Sequence, residues 1–149
     1  MSYLERKTKR LTVRALTPSD FDAGKQALLS MEHPRNTWDQ DPRKENEVTK
    51  AAFKRNLSVQ KKMRAEDTFY DLAIFNRDGA LVGFVALMEV ARGVSHTAFL
   101  GYRIFNGHWR SGYGKEAVQA MIDIGFRDIK LHRIEAGIEP GNIRSIKLA

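Results

Sequence analysis

Two stretches of the chain combine residue types whose spacing could do chemistry. The first is Gly107-His108-Trp109-Arg110-Ser111-Gly112-Tyr113-Gly114-Lys115. Its glycines let the backbone approach a ligand closely, and it runs into a segment with helical periodicity. The first amides of a helix lack backbone acceptors and lie at the positive end of its dipole. A glycine-rich loop at that place can cradle a phosphate. It is not a Walker A loop, because Gly-x-x-x-x-Gly-Lys-Ser/Thr is absent. Nor is it a Rossmann fingerprint, because the preceding strands read as antiparallel and no second parallel crossover follows. The second stretch is Arg133-Ile-Glu-Ala-Gly-Ile-Glu139-Pro-Gly-Asn142-Ile-Arg-Ser145. Read locally, it is a strand, a Pro-Gly break and a helix with Asn142 as its N-cap. The 4 histidines fall without ligand spacing and there is no cysteine, so no metal is expected.

The elements that must position these groups follow from pattern. Leu11 to Leu16 alternates apolar and polar as a half-buried strand does. Thr17-Pro18-Ser19-Asp20 is turn and cap chemistry, and it predicts a helix over 21–30. Residues 31–42 carry loop residues, with His33 and Trp38 among them. From 44 to 64 there is neither Pro nor Gly, and the apolar stripe is ragged, so a charged surface helix or helix pair is expected. Strands are predicted over 70–75, 81–91 and 98–105, joined by short turns into an antiparallel meander. A helix is predicted over 115–130 with Val118, Ile122, Gly125 and Ile129 on its buried face, and Met121 and Phe126 beside them. A short strand over 133–138 and a helix opening at Ile143 complete the pattern.

Composition bounds the classes. The chain has 149 residues, 42% hydrophobic and 29% charged, which fits one globular domain over 1–149 and excludes collagen-like or disordered readings. Absence of cysteine excludes a disulfide framework and agrees with a reducing, cytoplasmic location. The opening MSYLERKTKR is too charged for a signal peptide, and the longest apolar run, Ala80 to Met88, is far short of the about twenty residues a membrane span needs. The formal charge of +7 asks for an anionic partner, and 8 of the basic residues against 2 acidic ones lie between Arg43 and Arg64.

Taken together, the two stretches resemble the GNAT superfamily of acetyl-CoA-dependent N-acetyltransferases. Trp109-Arg-Ser-Gly112-Tyr-Gly114-Lys-Glu-Ala117 is similar to the family's Gln/Arg-x-x-Gly-x-Gly/Ala motif, with Trp109 at the Gln/Arg position. That Trp, the ending Pro140-Gly-Asn142-Ile-Arg-Ser145 and the opening Thr8-Lys9-Arg10-Leu11-Thr-Val-Arg14 resemble the branch of ribosomal-protein-alanine (Rim-type) acetyltransferases. The resemblance covers 8–30 and 70–149 and does not extend over 31–66.

It implies a mixed α/β fold: a central, mostly antiparallel sheet with a split between two strands, flanked by helices. It implies acetyl-CoA as co-substrate, with the backbone of Tyr102, Arg103 and Ile104 holding pantetheine and the 109–115 segment (Trp109, Arg110, Ser111, Gly112, Tyr113, Gly114, Lys115) holding pyrophosphate. Asn142 would contact the pantetheine arm. The acceptor would be a primary amine, most naturally a protein N-terminus, with ribosome association implied. Many members supply the acid for the thiolate as a Tyr seven residues after the Asn; Ala149 stands there, so Ser145 is the substitute. For the base there are only candidates, Glu89 on the second meander strand foremost, with Glu135 and Glu139 on or after the parallel strand; Trp38 is the candidate acceptor wall. The family continues past the helix begun at Asn142 with further strand, so the C-terminal strands are expected to be missing, through truncation or with a second copy, as in a homodimer, covering the bare edge. Three readings compete with protein acetylation: a polyamine or aminoglycoside acceptor, a CoA-binding domain without catalysis, and an RNA-binding module built on 43–64.

Overall fold

A computed structural model describes residues 2–39 and 41–149. Its one sheet has six strands in sequence order: β1 (Arg6–Lys7), β2 (Leu11–Arg14), β3 (Tyr70–Asn76), β4 (Leu81–Ala91), β5 (Thr97–Ile104) and β6 (Arg133–Glu135). The helices are α1 (Phe21–Leu29), α2 (Lys50–Ala65), α3 (Tyr113–Arg127) and α4 (Ile143–Leu148). Strands β1 to β5 pair antiparallel and β6 pairs parallel to β5. The mixed α/β architecture is therefore the expected one. No helix among the described residues is long and apolar enough to cross a membrane.

Alternation along the strands divides the core in two. Leu72, Ile74, Val85, Leu87, Leu100 and their neighbours face α3, whereas Ala73, Phe75, Leu81 and Phe105 face α1 and α2. The inner side of α2 carries Phe53 and Leu57 onto the second layer. Phe53 meets Phe21 edge to face at 5.5 Å.

Three details differ from the pattern reading. Strand β2 stops at Arg14, and the added hairpin strand β1 is held by Arg6, 6% exposed, which donates to Asp123 and to both oxygens of Asp128. The buried stripe of α3 is Ala117, Val118, Ala120, Met121, Ile124 and Gly125, while Ile122 and Phe126 are exposed. Small residues form the contact because α3 rides close to the sheet. A Cβ on Gly125 would lie 2.7 Å from Ile134 Cδ1 and 3.0 Å from Leu87 Cδ1. Finally, α3 ends at Arg127, and Lys130, at φ +63°, turns the chain towards β6. Strand β6 stops at Glu135, three residues short of the expected 138, and that early stop makes the split.

Candidate functional site

The split follows from register. Strand β6 matches β5 only over Thr97–Arg133, Ala98–Ile134 and Phe99–Glu135. From Leu100 to Ile104, β5 has β4 on one side and no partner strand on the other. A strand edge of this kind presents alternating amide donors and carbonyl acceptors that an extended ligand can pair with.

Beyond Ile104 the chain makes the glycine loop. Gly112 adopts φ +79° and Arg110 φ +64°, left-handed values that fold the loop back over the first turn of α3. The amides of Tyr113, Gly114 and Lys115 begin the helix and have no acceptor within it. Gly114 packs under α4: a Cβ there would lie 2.7 Å from Leu148 Cδ1 and would displace that side chain. Glu116 ties the loop to the N-terminal hairpin by accepting from the amide of Arg10 at 2.7 Å and its Nε at 2.8 Å. Arg10 in turn donates to the Ser111 carbonyl and lies 4.9 Å from the Tyr113 ring.

Loop, open strand edge and α4 enclose one cleft of about 390 Å³. Tyr102, Arg103, Ile104, the whole 109–115 segment, Asn142, Ser145 and Trp38 all line it. Thus every expected site residue except the base candidates is brought together, although 38, 102 and 142 are distant in sequence. Glu89 is exposed and, like Glu135 and Glu139, does not line the cleft. It sits at φ +51° in the bulge where the β4–β5 register shifts between Met88 and Ala91. A bulge reorients its side chain, so strand alternation misplaces it.

Local roles are sharper than the sequence allowed. Trp109 donates through its indole nitrogen to the Ile104 carbonyl at 2.8 Å, which engages that carbonyl and fixes the end of β5. Arg144 stacks 4.0 Å over the same ring. Asn142 caps α4 by accepting from the Ser145 amide at 3.3 Å. The Tyr102 hydroxyl is buried and has no hydrogen-bond partner among the described residues. Trp38 donates to Glu139 at 2.8 Å and packs against Gly141, so the 31–39 strap closes one side of the cleft.

Asn106 was not singled out by sequence, yet it holds that strap. It is 1% exposed and accepts from the Glu32 amide at 2.9 Å. Its amide nitrogen donates to the carbonyls of Glu32 (2.8 Å) and His33 (3.2 Å) and to the Asp39 carboxylate (3.0 Å). Arg144 and Lys147 of α4 also line the cleft and add to its positive charge. Among the described residues no group of acidic, histidine or cysteine side chains could hold a metal.

Comparison with known proteins agrees with this geometry. A family model described as an acetyltransferase (GNAT) domain matches residues 10–149. The Bacillus subtilis (strain 168) protein named "Probable N-acetyltransferase YjcK" is 38% identical over 96 residues, 64% of this chain and 52% of its own length. The chain thus spans about half the length of that curated relative. The solved structure of RimJ from Mycobacterium smegmatis, in complex with CoA-disulfide, superposes with a TM-score of 0.74 at 21% identity, covering 93% of this chain and 66% of that one. Ribosomal-protein-S5-alanine acetyltransferase from Vibrio fischeri superposes with a TM-score of 0.71 at 21% identity, covering 97% and 79%. With the family matched over nearly the whole sequence, and the split sheet and helix-capping loop in the expected places, the chain belongs to the GNAT acetyltransferase family.

Proposed function

We propose that the protein transfers the acetyl group of acetyl-CoA to a primary amine, with a protein N-terminal amine as acceptor. The observation that carries this reading is the juxtaposition, in one cleft, of the strand edge over 102–104, which has no partner strand beyond β4 among the described residues, with the amide-rich start of α3. A pantetheine arm carries amides that suit the edge, and a pyrophosphate suits the helix start. The Tyr102 hydroxyl, buried and without a partner among the described residues, fits a ligand that offers it a polar contact there.

Acetyl-CoA supplies a thioester acyl group that a neutral amine can attack. Backbone amides on β5 near Ile104 are placed to stabilise negative charge on an acyl oxygen. Ser145, half-buried on α4 and lining the cleft, is the group proposed to pass a proton towards a departing thiolate through water. Glu89 has no part in this reading, because it stands outside the cleft. The N-terminal acceptor, with work on ribosomal proteins, is supported by the Rim-type neighbours. An RNA-binding role for α2 loses its stacking platform, since its lone aromatic, Phe53, is packed inward against Phe21.

The test is a calorimetric titration with acetyl-CoA, followed by a thiol-release screen over N-terminal peptides and small amines. Saturable acetyl-CoA binding with turnover on peptides is the expected result. A folded protein that does not bind acetyl-CoA at millimolar concentration refutes the reading. Binding with turnover only on polyamines overturns the acceptor alone.

A further inference from the structure

The sheet face under α1 and α2 holds a cluster of charged and polar side chains: Gln60, Arg64, Asp71 and Arg103. The inner side of α2 begins apolar at Phe53 and Leu57 and turns polar one turn later, at Gln60 and Arg64. These two residues are four apart, so they share a helix face. Gln60, 7% exposed, donates to Asp71 on β3 at 3.2 Å. Asp71 is in register with Ala86 on β4, and Ala86 with Gly101 on β5. Arg103, two residues on, therefore stands on the same face as Asp71. Its guanidinium lies 5.5 Å from the Phe84 ring and 5.8 Å from the Phe105 ring, and the same residue lines the cleft.

Two guanidinium nitrogens here are buried without a hydrogen-bond partner among the described residues: Nε of Arg103 and Nη1 of Arg64. Among the described residues, neither arginine makes an ion pair with Asp71. Burial lowers the pKa of Arg103; Asp71 opposes that shift, and Arg43 adds to it. Two cations, Arg103 and Arg64, thus face one carboxylate, whose pKa is raised to about 6 by burial against their pull and that of Gln60. Buried donors left without acceptors are costly, and the planar guanidinium fork matches a carboxylate.

Resting on the acetyl-transfer reading above, we propose that Arg103 and Arg64 form a carboxylate-binding pocket on the acceptor side of the cleft, so that the preferred acceptor is an amine that also carries a carboxylate. Arg103 joins the two sites because it belongs to both. The exposed Lys50, Lys54, Arg55, Lys61 and Lys62 of α2 steer such an anionic acceptor inward and repel a polyamine.

The test uses bisubstrate conjugates, in which CoA is joined through an acetyl bridge to the N-terminus of a short amidated peptide. One peptide carries Glu beside the joined residue, a second carries Gln, and a third is the Gln peptide with a free C-terminal carboxylate. Affinities are measured by calorimetry with the full chain, so turnover is not needed. The Glu conjugate is expected to bind about tenfold or more tighter than the Gln conjugate, as a charge-assisted bidentate contact would give. Arg64→Gln and Arg103→Gln should each bring that ratio towards one. The ratio is taken on a single variant, so partial misfolding cancels. Tight binding of the third conjugate instead assigns the pocket to a main-chain carboxylate. Equal binding of all three by the wild-type protein overturns the proposal and leaves acetyl transfer standing, as does a preference that persists in both variants. Failure to bind acetyl-CoA and every conjugate overturns both readings.

Discussion

Replacing Asn106 tests whether one buried side chain holds the strap over the cleft. Asn106→Ala removes the acceptor of the Glu32 amide and the donor to the Glu32 and His33 carbonyls and the Asp39 carboxylate. Four contacts at about 0.5–1.5 kcal/mol each bound the loss at roughly 2–6 kcal/mol. Most strap residues are exposed, so the strap can detach while the sheet stays folded. The loss should therefore appear as local opening, about 2–4 kcal/mol of it, or roughly 30- to 1000-fold faster amide exchange over 31–39. Exchange within β3, β4 and α3 should change far less. Asn106→Asp sharpens the point. It keeps the acceptor for the Glu32 amide but turns a carboxylate towards two carbonyls and Asp39. The ionised form is disfavoured there, so its penalty should grow as pH rises and shrink in acid. Hydrogen exchange read by mass spectrometry across pH 5 to 8 is the assay. Wild-type exchange of the strap in a folded Asn106→Ala protein refutes the reasoning.

Other perturbations probe the remaining supports. Gly114→Val drives a branched side chain into Leu148 and the cleft wall, and should abolish acetyl-CoA binding by calorimetry while circular dichroism stays native. Tyr102→Phe removes a hydroxyl that has no partner among the described residues, so stability should hold within about 0.5 kcal/mol while any loss of acetyl-CoA affinity reports a ligand contact. Asp71, raised from 3.8 to about 6 by burial, stabilises the fold most when protonated. That contribution is complete below about pH 4 and is lost as pH rises through 6, so Asp71→Asn should flatten the stability profile by about 2–3 kcal/mol in urea titrations at pH 4 and 7. Arg6→Ala removes the ion-pair partner of Asp128, which keeps only the Leu4 amide and the Lys130 charge, and it should cost about 2–4 kcal/mol at pH 7. Asp128 is held below its ordinary value chiefly by Arg6, so in the wild-type protein this support is present above the usual aspartate pKa and fades as pH falls through the lowered one.

The order and kind of the elements are legible in the sequence, because periodicity, turns and caps are local. The bounds of β4, the Asn76 to Gly79 turn and the Asn142 cap are all encoded within a few residues of where they occur. The glycine loop could be read as a candidate anion cradle for the same reason, since Gly112 at positive φ and the bare helix amides are properties of one short segment. Tertiary structure decided what depends on register and distance. The split exists only because β6 leaves β5 after Glu135, and no residue type marks that point. The small buried face of α3 was misread because close packing selects Ala and Gly, which carry little hydrophobic signal. Glu89 was lost to a bulge that rotates it out of the strand's alternation. Asn106 and the Arg64, Asp71 and Arg103 cluster stayed hidden because their partners lie on other elements, and a polar residue's burial is set by what packs over it rather than by its neighbours in the chain.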